Sequence, residues 1–402
     1  MNRNEFRKRV LEESCPNILL ELATGFGKSW IALGLIKKKL SNINQPKILI
    51  VIPKLVLINN WKDEFIKWKC KRYLQYVTFV TYVSLPKKIG NWDMVIYDEC
   101  HHLSDRCLSY IDYIKAKNNI FLSATVSRNK LFQLQTKLNY CLKVFKVSAK
   151  EAIKEDILPD PEVYLIRLKL NRKDISETII KNPKAVQQKI IPYQLRISYA
   201  RVKNIKLIIP CTQGQYYDEL DNCVSWFKKK FDNTRSPIMK MMYLRKAGER
   251  LKWLSNQKNT VISNILNVLD KYRTLTFCNS IEQSELLGKH CIHSKNKEGA
   301  EFLNKFNEGN INHITAISIL DEGVNLVNCQ VGIYGMLNSS SRLVQQRLGR
   351  LLRHPNPIII IPYFVYTRDE EIVNKMLGDY NPDKVHIIEN INDLKNIANG
   401  KV

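Results

Sequence analysis

Short unbroken apolar runs of strand length recur in both halves of the chain, separated by stretches long enough to cross back over a sheet. In the first half they are Ile18 to Leu22, Ile48 to Ile52, Val77 to Val80, Met94 to Tyr97 and Ile120 to Leu122. A second series begins near Thr274 with Leu275 to Cys278, Ile314 to Ile319, Val331 to Tyr334 and Ile358 to Pro362. Strands covered on both faces need continuous Ile, Leu and Val, and parallel neighbours need long crossovers. The pattern predicts an α/β protein with parallel-sheet domains at residues 1–150 and 273–402.

Between them, Leu158-Pro159-Asp160-Pro161 punctuates the chain. Val163 to Leu170 reads as a further strand ahead of a long lysine-rich helical segment reaching about Asp270, so residues 151–272 form a linker strand and helical insertion. This insertion carries Lys228-Lys229-Lys230 among Tyr216, Tyr217, Trp226, Phe227, Tyr243 and Trp253. Such a mixture can stack bases and neutralise phosphates, whereas aromatics at helical spacing are more often core. Sequence leaves both readings open.

The 402 residues carry 63 Lys plus Arg against 38 Asp plus Glu, a formal charge of +25. That balance favours a polyanionic partner, nucleic acid first, and disfavours cations or basic proteins. The ten cysteines fall singly, among them Cys15, Cys70, Cys141 and Cys329, with no C-x-x-C pair. They read as reduced core thiols. Cys291 and His293 lack a second ligand pair and read as structural. Met1 to Val10 has no apolar signal core and no run approaches a membrane span, so the expectation is a cytoplasmic protein without a membrane partner. The compact chain would suit a phage or plasmid protein.

The chemistry begins where strand Ile18 to Leu22 runs into Ala23-Thr24-Gly25-Phe26-Gly27-Lys28-Ser29 and then an apolar helix. Glycines let backbone N–H groups turn inward around phosphates at a helix N-terminus. Lys28 can then reach the β and γ phosphates, and the Ser29 hydroxyl can ligate magnesium. Thr24, Gly25, Phe26, Gly27, Lys28 and Ser29 are therefore the expected ATP-binding residues. The general pattern has a further glycine where this chain has Leu22.

Strand Met94 to Tyr97 ends in Asp98-Glu99-Cys100-His101. Ligands of open parallel sheets sit at the carboxyl edge. There Asp98 can hold magnesium while Glu99 orients and deprotonates the attacking water. Further on, Gln346-Arg347-Leu348-Gly349-Arg350-Leu351-Leu352-Arg353 puts Arg350 and Arg353 on one predicted helical face. Two guanidinium groups there could neutralise charge developing on a transferred phosphoryl group.

Taken together these residues resemble superfamily 2 helicases and translocases of the DExH type, over about residues 17–145 and 273–365. Further resemblances are Ser123-Ala124-Thr125, similar to the family's coupling motif; Val51-Ile52-Pro53-Lys54 with Asn60-Trp61-Lys62, and Thr81-Tyr82-Val83-Ser84-Leu85, similar to its nucleic-acid motifs; and Asp321-Glu322-Gly323-Val324-Asn325-Leu326, similar to its loop touching nucleotide and strand. The Gly-Val-Asn-Leu run resembles double-stranded-DNA translocases. Departures are Asn325 for a frequent Asp, Ile317 for a common Thr with Ser318 beside it, Val126 for a frequent Pro, and Phe6 where, if Arg3 matches, an adenine-reading Gln is expected.

The resemblance implies two RecA-like domains that close over a nucleic-acid strand when ATP and Mg2+ bind. It assigns catalysis to Lys28, Asp98, Glu99, Gln346, Arg350 and Arg353, and further nucleotide contacts to Gly323 and Asn325. Coupling falls to His101, Ser123 and Thr125, with His101 at the domain seam. Nucleic-acid contact falls to Pro53, Lys54, Thr81, Tyr82 and Ser318, with DNA favoured over RNA. Alternatives are an RNA helicase, a restriction or repair motor subunit that moves without unwinding, and a slow nucleotide-switched clamp.

Overall fold

The computed structural model describes residues 2–181, 207–317, 326–338, 351 and 354–394. Strands β1 (Asn17–Leu22), β2 (Ile48–Ile52), β3 (Val77–Thr81), β5 (Met94–Tyr97), β7 (Asn119–Ser123) and β8 (Lys143–Val147) form a parallel sheet in the order β3-β2-β5-β7-β1-β8. Two short strands, β4 (Gly90–Trp92) and β6 (Ile114–Ala116), pair beside it. Successive side chains of a strand point to opposite faces, and the apolar runs serve both. Ile18, Leu20, Ile48, Ile50, Met94, Ile96, Ile120 and Leu122 join a core on one face. Leu19, Leu49, Val51, Val95, Tyr97 and Phe121 join a second core on the other. Tyr97 stacks on Phe121 with ring centroids 4.6 Å apart.

The second sheet contains β9 (Glu162–Leu168), β12 (Thr274–Phe277), β13 (Cys291–Ile292), β14 (His313–Ala316), β15 (Val331–Tyr334), β16 (Ile358–Phe364) and β17 (Val385–Ile388), ordered β13-β14-β12-β15-β16-β9-β17 and again parallel. Strand β9, which the sequence places in the connecting segment, thus lies inside this sheet, in register with β16 over its whole length. The architecture is two RecA-like parallel sheets flanked by helices.

The insertion is not wholly helical. Strands β10 (Ile175–Lys181) and β11 (Leu207–Thr212) form an antiparallel pair, followed by helices Gln213–Thr234, Pro237–Gln257 and Asn259–Val268. Thr212 caps the first helix reciprocally with Gln215, and Pro237 opens the second at the position where its missing N–H costs least. The aromatics divide as both readings allowed. Tyr217 is buried and Tyr216 packs on Trp253 at 5.2 Å between centroids, whereas Trp226 is 43% exposed. Among the described residues the cysteines are free thiols, most of them buried, and no His, Cys, Asp and Glu cluster could hold a metal. Cys291 is buried against backbone carbonyls of Ser284 and Gly288. Among those residues no helix is long and apolar enough to cross a membrane.

Candidate nucleotide site

Three neighbouring strands of the first sheet, β1, β7 and β5, end at one edge. Each carries a motif: Ala23 to Ser29 follows β1, Ser123 to Thr125 follows β7 and Asp98-Glu99 follows β5. Sheet order therefore places the Ser-Ala-Thr turn between the phosphate loop and the acid pair, an adjacency that strand numbering alone does not give.

The loop after β1 needs glycine where it bends. Gly25 and Gly27 have φ of 88° and 101°, in the left-handed region that a Cβ disfavours, and a Cβ at Gly27 would collide with the Arg7 guanidinium. Gly27 caps helix Lys28–Leu40, so the first free N–H groups of that helix face the loop. Leu22, where the general motif has glycine, is the buried last residue of β1, and its carbonyl accepts from Lys28 Nζ at 2.9 Å. The Thr24 hydroxyl is buried and meets no hydrogen-bond partner among the described residues. Phe26 is fully buried, edge-on to Phe6 at 5.0 Å, so it anchors the loop and is closed to ligand.

Asp98 sits under constraint from three sides. Trp61 Nε1 donates to its Oδ2 at 2.9 Å, the Glu99 N–H donates to its Oδ1 at 3.1 Å, and the Tyr82 hydroxyl donates to its carbonyl at 2.7 Å. Burial, then the adjacent Glu99 charge, pushes the Asp98 carboxyl well above the usual carboxylate range, opposed by the Trp61 hydrogen bond and by Lys28. A cation placed beside this carboxyl would favour its ionised form. Glu99 adopts φ 48°, a left-handed conformation uncommon for a residue with a Cβ. Its buried Oε2 lies 3.4 Å from His101 Nδ1, and the same nitrogen lies 3.1 Å from Ser123 Oγ. Ser123 Oγ in turn donates to the Thr125 carbonyl at 2.8 Å. A continuous polar path thus joins Glu99 through His101 to Ser123 and Thr125.

Together these elements line a cavity of about 610 Å³, bounded by Thr24, Gly25, Gly27, Lys28, Ser29, Asp98 and Glu99. Its donors are hard oxygens from Ser29 and Asp98, suited to magnesium. An ammonium group, helix-end amides and the buried orphan hydroxyl of Thr24 suit phosphate. The site fits a metal-bound nucleoside triphosphate.

Other expected residues lie elsewhere. Tyr82, expected against nucleic acid, is buried beneath Asp98 because its hydroxyl satisfies that carbonyl. Trp61, from the first nucleic-acid motif, faces the cavity instead. Thr81 is half-buried, its hydroxyl 3.4 Å from Ser84 Oγ; Pro53 is half-buried and Lys54 exposed beyond the end of β2. Phe6 is core. Ser318, Gly323, Asn325, Gln346, Arg350 and Arg353 lie outside the described residues.

Sequence reasoning gave Trp61 and Tyr82 another role and missed Arg7 and Glu21. Trp61 and Tyr82 hold Asp98. Arg7 packs over the Trp30 ring at 4.6 Å at the cavity wall. Glu21, buried within apolar β1, accepts from the Val126 N–H at 3.3 Å and pairs with Lys146 at 3.1 Å, tying the phosphate-loop strand to the Ser-Ala-Thr turn. A carboxylate in an otherwise apolar strand was the one available signal.

Trp61→Phe tests the first of these. The indole bond favours ionised Asp98, so its loss raises that carboxyl further above about 6, and magnesium-dependent nucleotide affinity at pH 6.5 should fall about threefold. The deficit should shrink at pH 8.5, where Asp98 ionises regardless. Titrating magnesium at pH 6.5 and 8.5 checks this, and equal affinities for variant and wild type at both would make Trp61 merely core.

Comparison with known proteins bears on the family and the fold. Residues 4–128 match the family model "Type III restriction enzyme, res subunit", and residues 257–355 match "Helicase conserved C-terminal domain". A DNA 3′-5′ translocase XPB2 of Sulfurisphaera tokodaii is 24% identical across 90% of this chain and 79% of its own. Among solved structures, S. cerevisiae Dbp5 bound to RNA and ADP BeF3 superposes with a TM-score of 0.61 at 9% identity, covering 99% of this chain and 92% of that one. The Pyrococcus furiosus Hef helicase domain gives 0.52 at 14%, covering 93% and 97%. These structural likenesses show the fold. With both family models matched in order, and the phosphate loop and acid pair at the ends of the two strands that flank β7, the chain belongs to the superfamily 2 helicases and translocases, which are nucleic-acid-dependent ATPases.

Proposed function

We propose that the chain is an ATP-driven DNA translocase or helicase, using magnesium. The observation that carries the nucleotide half is the convergence of the phosphate loop, Asp98 and Glu99 on one cavity. The DNA half rests on the charge of +25 and on the translocase relative.

The phosphate loop and Lys28 receive the triphosphate, with Ser29 and Asp98 as the magnesium ligands. Magnesium, when bound, neutralises phosphate charge and favours displacement at the terminal phosphorus. Glu99 takes the proton of the attacking water. The second domain supplies Gln346, Arg350 and Arg353, with Gly323 and Asn325 toward nucleotide and Ser318 toward the strand. His101, Ser123 and Thr125 form the path by which a change at Glu99 reaches the strand side. Pro53, Lys54 and Thr81 contribute backbone contacts there. Each cycle of closure and release advances the domains along the polymer.

The test titrates ATPase rate against duplex DNA, forked DNA, single-stranded DNA and RNA at two salt concentrations. Duplex or forked DNA should stimulate at least as well as a single strand, with little sequence preference. Apparent affinity should fall as salt rises, because bound phosphates release counterions. Stimulation by RNA alone overturns the DNA assignment, since gripping the backbone can exploit the 2′-hydroxyl. No stimulation by any polymer favours a nucleotide-switched clamp.

A further inference from the structure

The helices Gln213–Thr234 and Pro237–Gln257 form an antiparallel hairpin, each arm 22 and 21 residues long, or roughly 30 Å at the usual rise per residue. Its two ends are built for different solvents. The base is fixed to the second sheet. Tyr217 is buried with Leu254 and Phe364, and its hydroxyl accepts from the Arg368 N–H at 2.8 Å. Ser255 Oγ lies 2.9 Å from both Gln283 Oε1 and the Gly335 carbonyl. Just beyond the second helix, Lys258 and Asp369 form a fully buried ion pair at 2.6 Å. The arms are joined near the base by Arg250 and Asp221. These contacts fix the base of the hairpin to the second domain.

Charge is segregated along this lever. The hairpin's other carboxylates sit toward the base, where Asp218 pairs with Arg172, Asp221 with Arg250 and Glu249 with Lys246. At the tip, Lys228, Lys229, Lys230, Arg235 and Lys240 face a single carboxylate, Asp232. Lys228, Lys229 and Lys240 have no acidic partner among the described residues. Beside them Trp226 stands 43% exposed with the Lys230 ammonium 5.5 Å above its ring. A surface built only for solubility would intersperse the signs. Here the carboxylates are consumed near the anchor and the cations are left at the free end next to an accessible ring.

We infer that the hairpin tip, through Lys228, Lys229, Lys230 and Trp226, is a second nucleic-acid contact that grips the phosphate backbone and travels with the second domain. It rests on the reading of the chain as a nucleic-acid motor and adds a site outside the motifs that define the family. Cation density supplies sequence-independent affinity, and an exposed ring stacks an unpaired base or rests on sugar. Because the base of the hairpin is fixed to the second domain, closure of that domain carries the tip across the polymer.

The experiment compares the full-length wild type with the triple variant Lys228→Glu, Lys229→Glu, Lys230→Glu and with the corresponding triple Arg variant. Half-stimulating DNA concentration is measured from 50 to 200 mM salt. The Glu variant should need about tenfold more DNA at low salt, and its log–log salt slope should be shallower by about 2 to 3. The Arg variant should match wild type. Trp226→Phe should remove part of the tryptophan quenching seen on DNA addition. Nucleotide binding and thermal melting verify that each variant is folded. If wild type is stimulated and the Glu variant keeps its affinity and slope, the tip serves something else, such as an acidic protein surface, and the inference is overturned. If wild type itself is not stimulated, the failure belongs to the motor reading.

Discussion

Lys28→Ala is expected to lower ATP turnover at saturating DNA by roughly 100- to 1000-fold or more, the usual cost of removing a preorganised charge donor from developing negative charge. The fold should survive. The ammonium has a modest structural role in the described geometry, a bond to the Leu22 carbonyl at the rim of the cavity, while β1 is held on both sides by β7 and β8. Alanine also suits the first turn of a helix. Steady-state ATPase assays beside thermal melting check this. Turnover within tenfold of wild type, with normal melting, would place the terminal phosphates elsewhere.

Glu99→Gln separates binding from chemistry. The amide keeps the size of the carboxylate but cannot accept the proton of water, so hydrolysis should fall about 100- to 10,000-fold. Nucleotide binding should persist, because Ser29, Lys28 and Asp98 are untouched. Asp98 responds in a defined direction: the neighbouring Glu99 charge helps hold its carboxyl up, so the neutral amide lets it ionise at lower pH. The variant's magnesium-dependent nucleotide binding should therefore extend to more acidic pH than wild type. Equilibrium binding across pH 6 to 8 beside single-turnover hydrolysis reads both effects. A folded variant that no longer binds nucleotide would reverse the roles given to the two acids.

The same elevated carboxyl bears on stability. A carboxyl raised in the folded state is penalised once pH exceeds its unfolded value, and the penalty grows until the folded group ionises. The buried Asp98 carboxyl is thus a local cost to the fold once pH exceeds its unfolded value.

How far sequence could reach follows from distance along the chain. Continuous apolar runs mark parallel strands because both faces are covered, so most strands of both sheets, the phosphate loop and the acid pair could be read directly. The contacts of Trp61 and Tyr82 to Asp98 span 37 and 16 residues, and no periodicity encodes such meetings. Tyr82 belongs to a motif associated with nucleic acid, yet it turns inward because the Asp98 carbonyl at the end of β5 needs a donor. Strands β10 and β11 form a two-stranded antiparallel pair that leaves Ile175, Ile180 and Ile208 exposed, so the pair lacks the run of wholly buried strands that betrays a parallel sheet. The hairpin's aromatics could not be divided by sequence because burial depends on distance from the anchor, and spacing looks alike at base and tip.

Strand β9 lies between β16 and β17, paired to residues 358–364 and 385–388 although it spans only 162–168. During synthesis it leaves the ribosome about 190 residues before its partners exist. Closing so long a loop is slow, and in the interval Val163, Leu165 and Ile166 present an unpaired apolar ladder, the kind of edge on which chains aggregate. The second domain therefore cannot complete its sheet until residues 385–388 have emerged. A fragment beginning at residue 273 would lack this interior strand, leaving β16 and β17 without the neighbour that joins them.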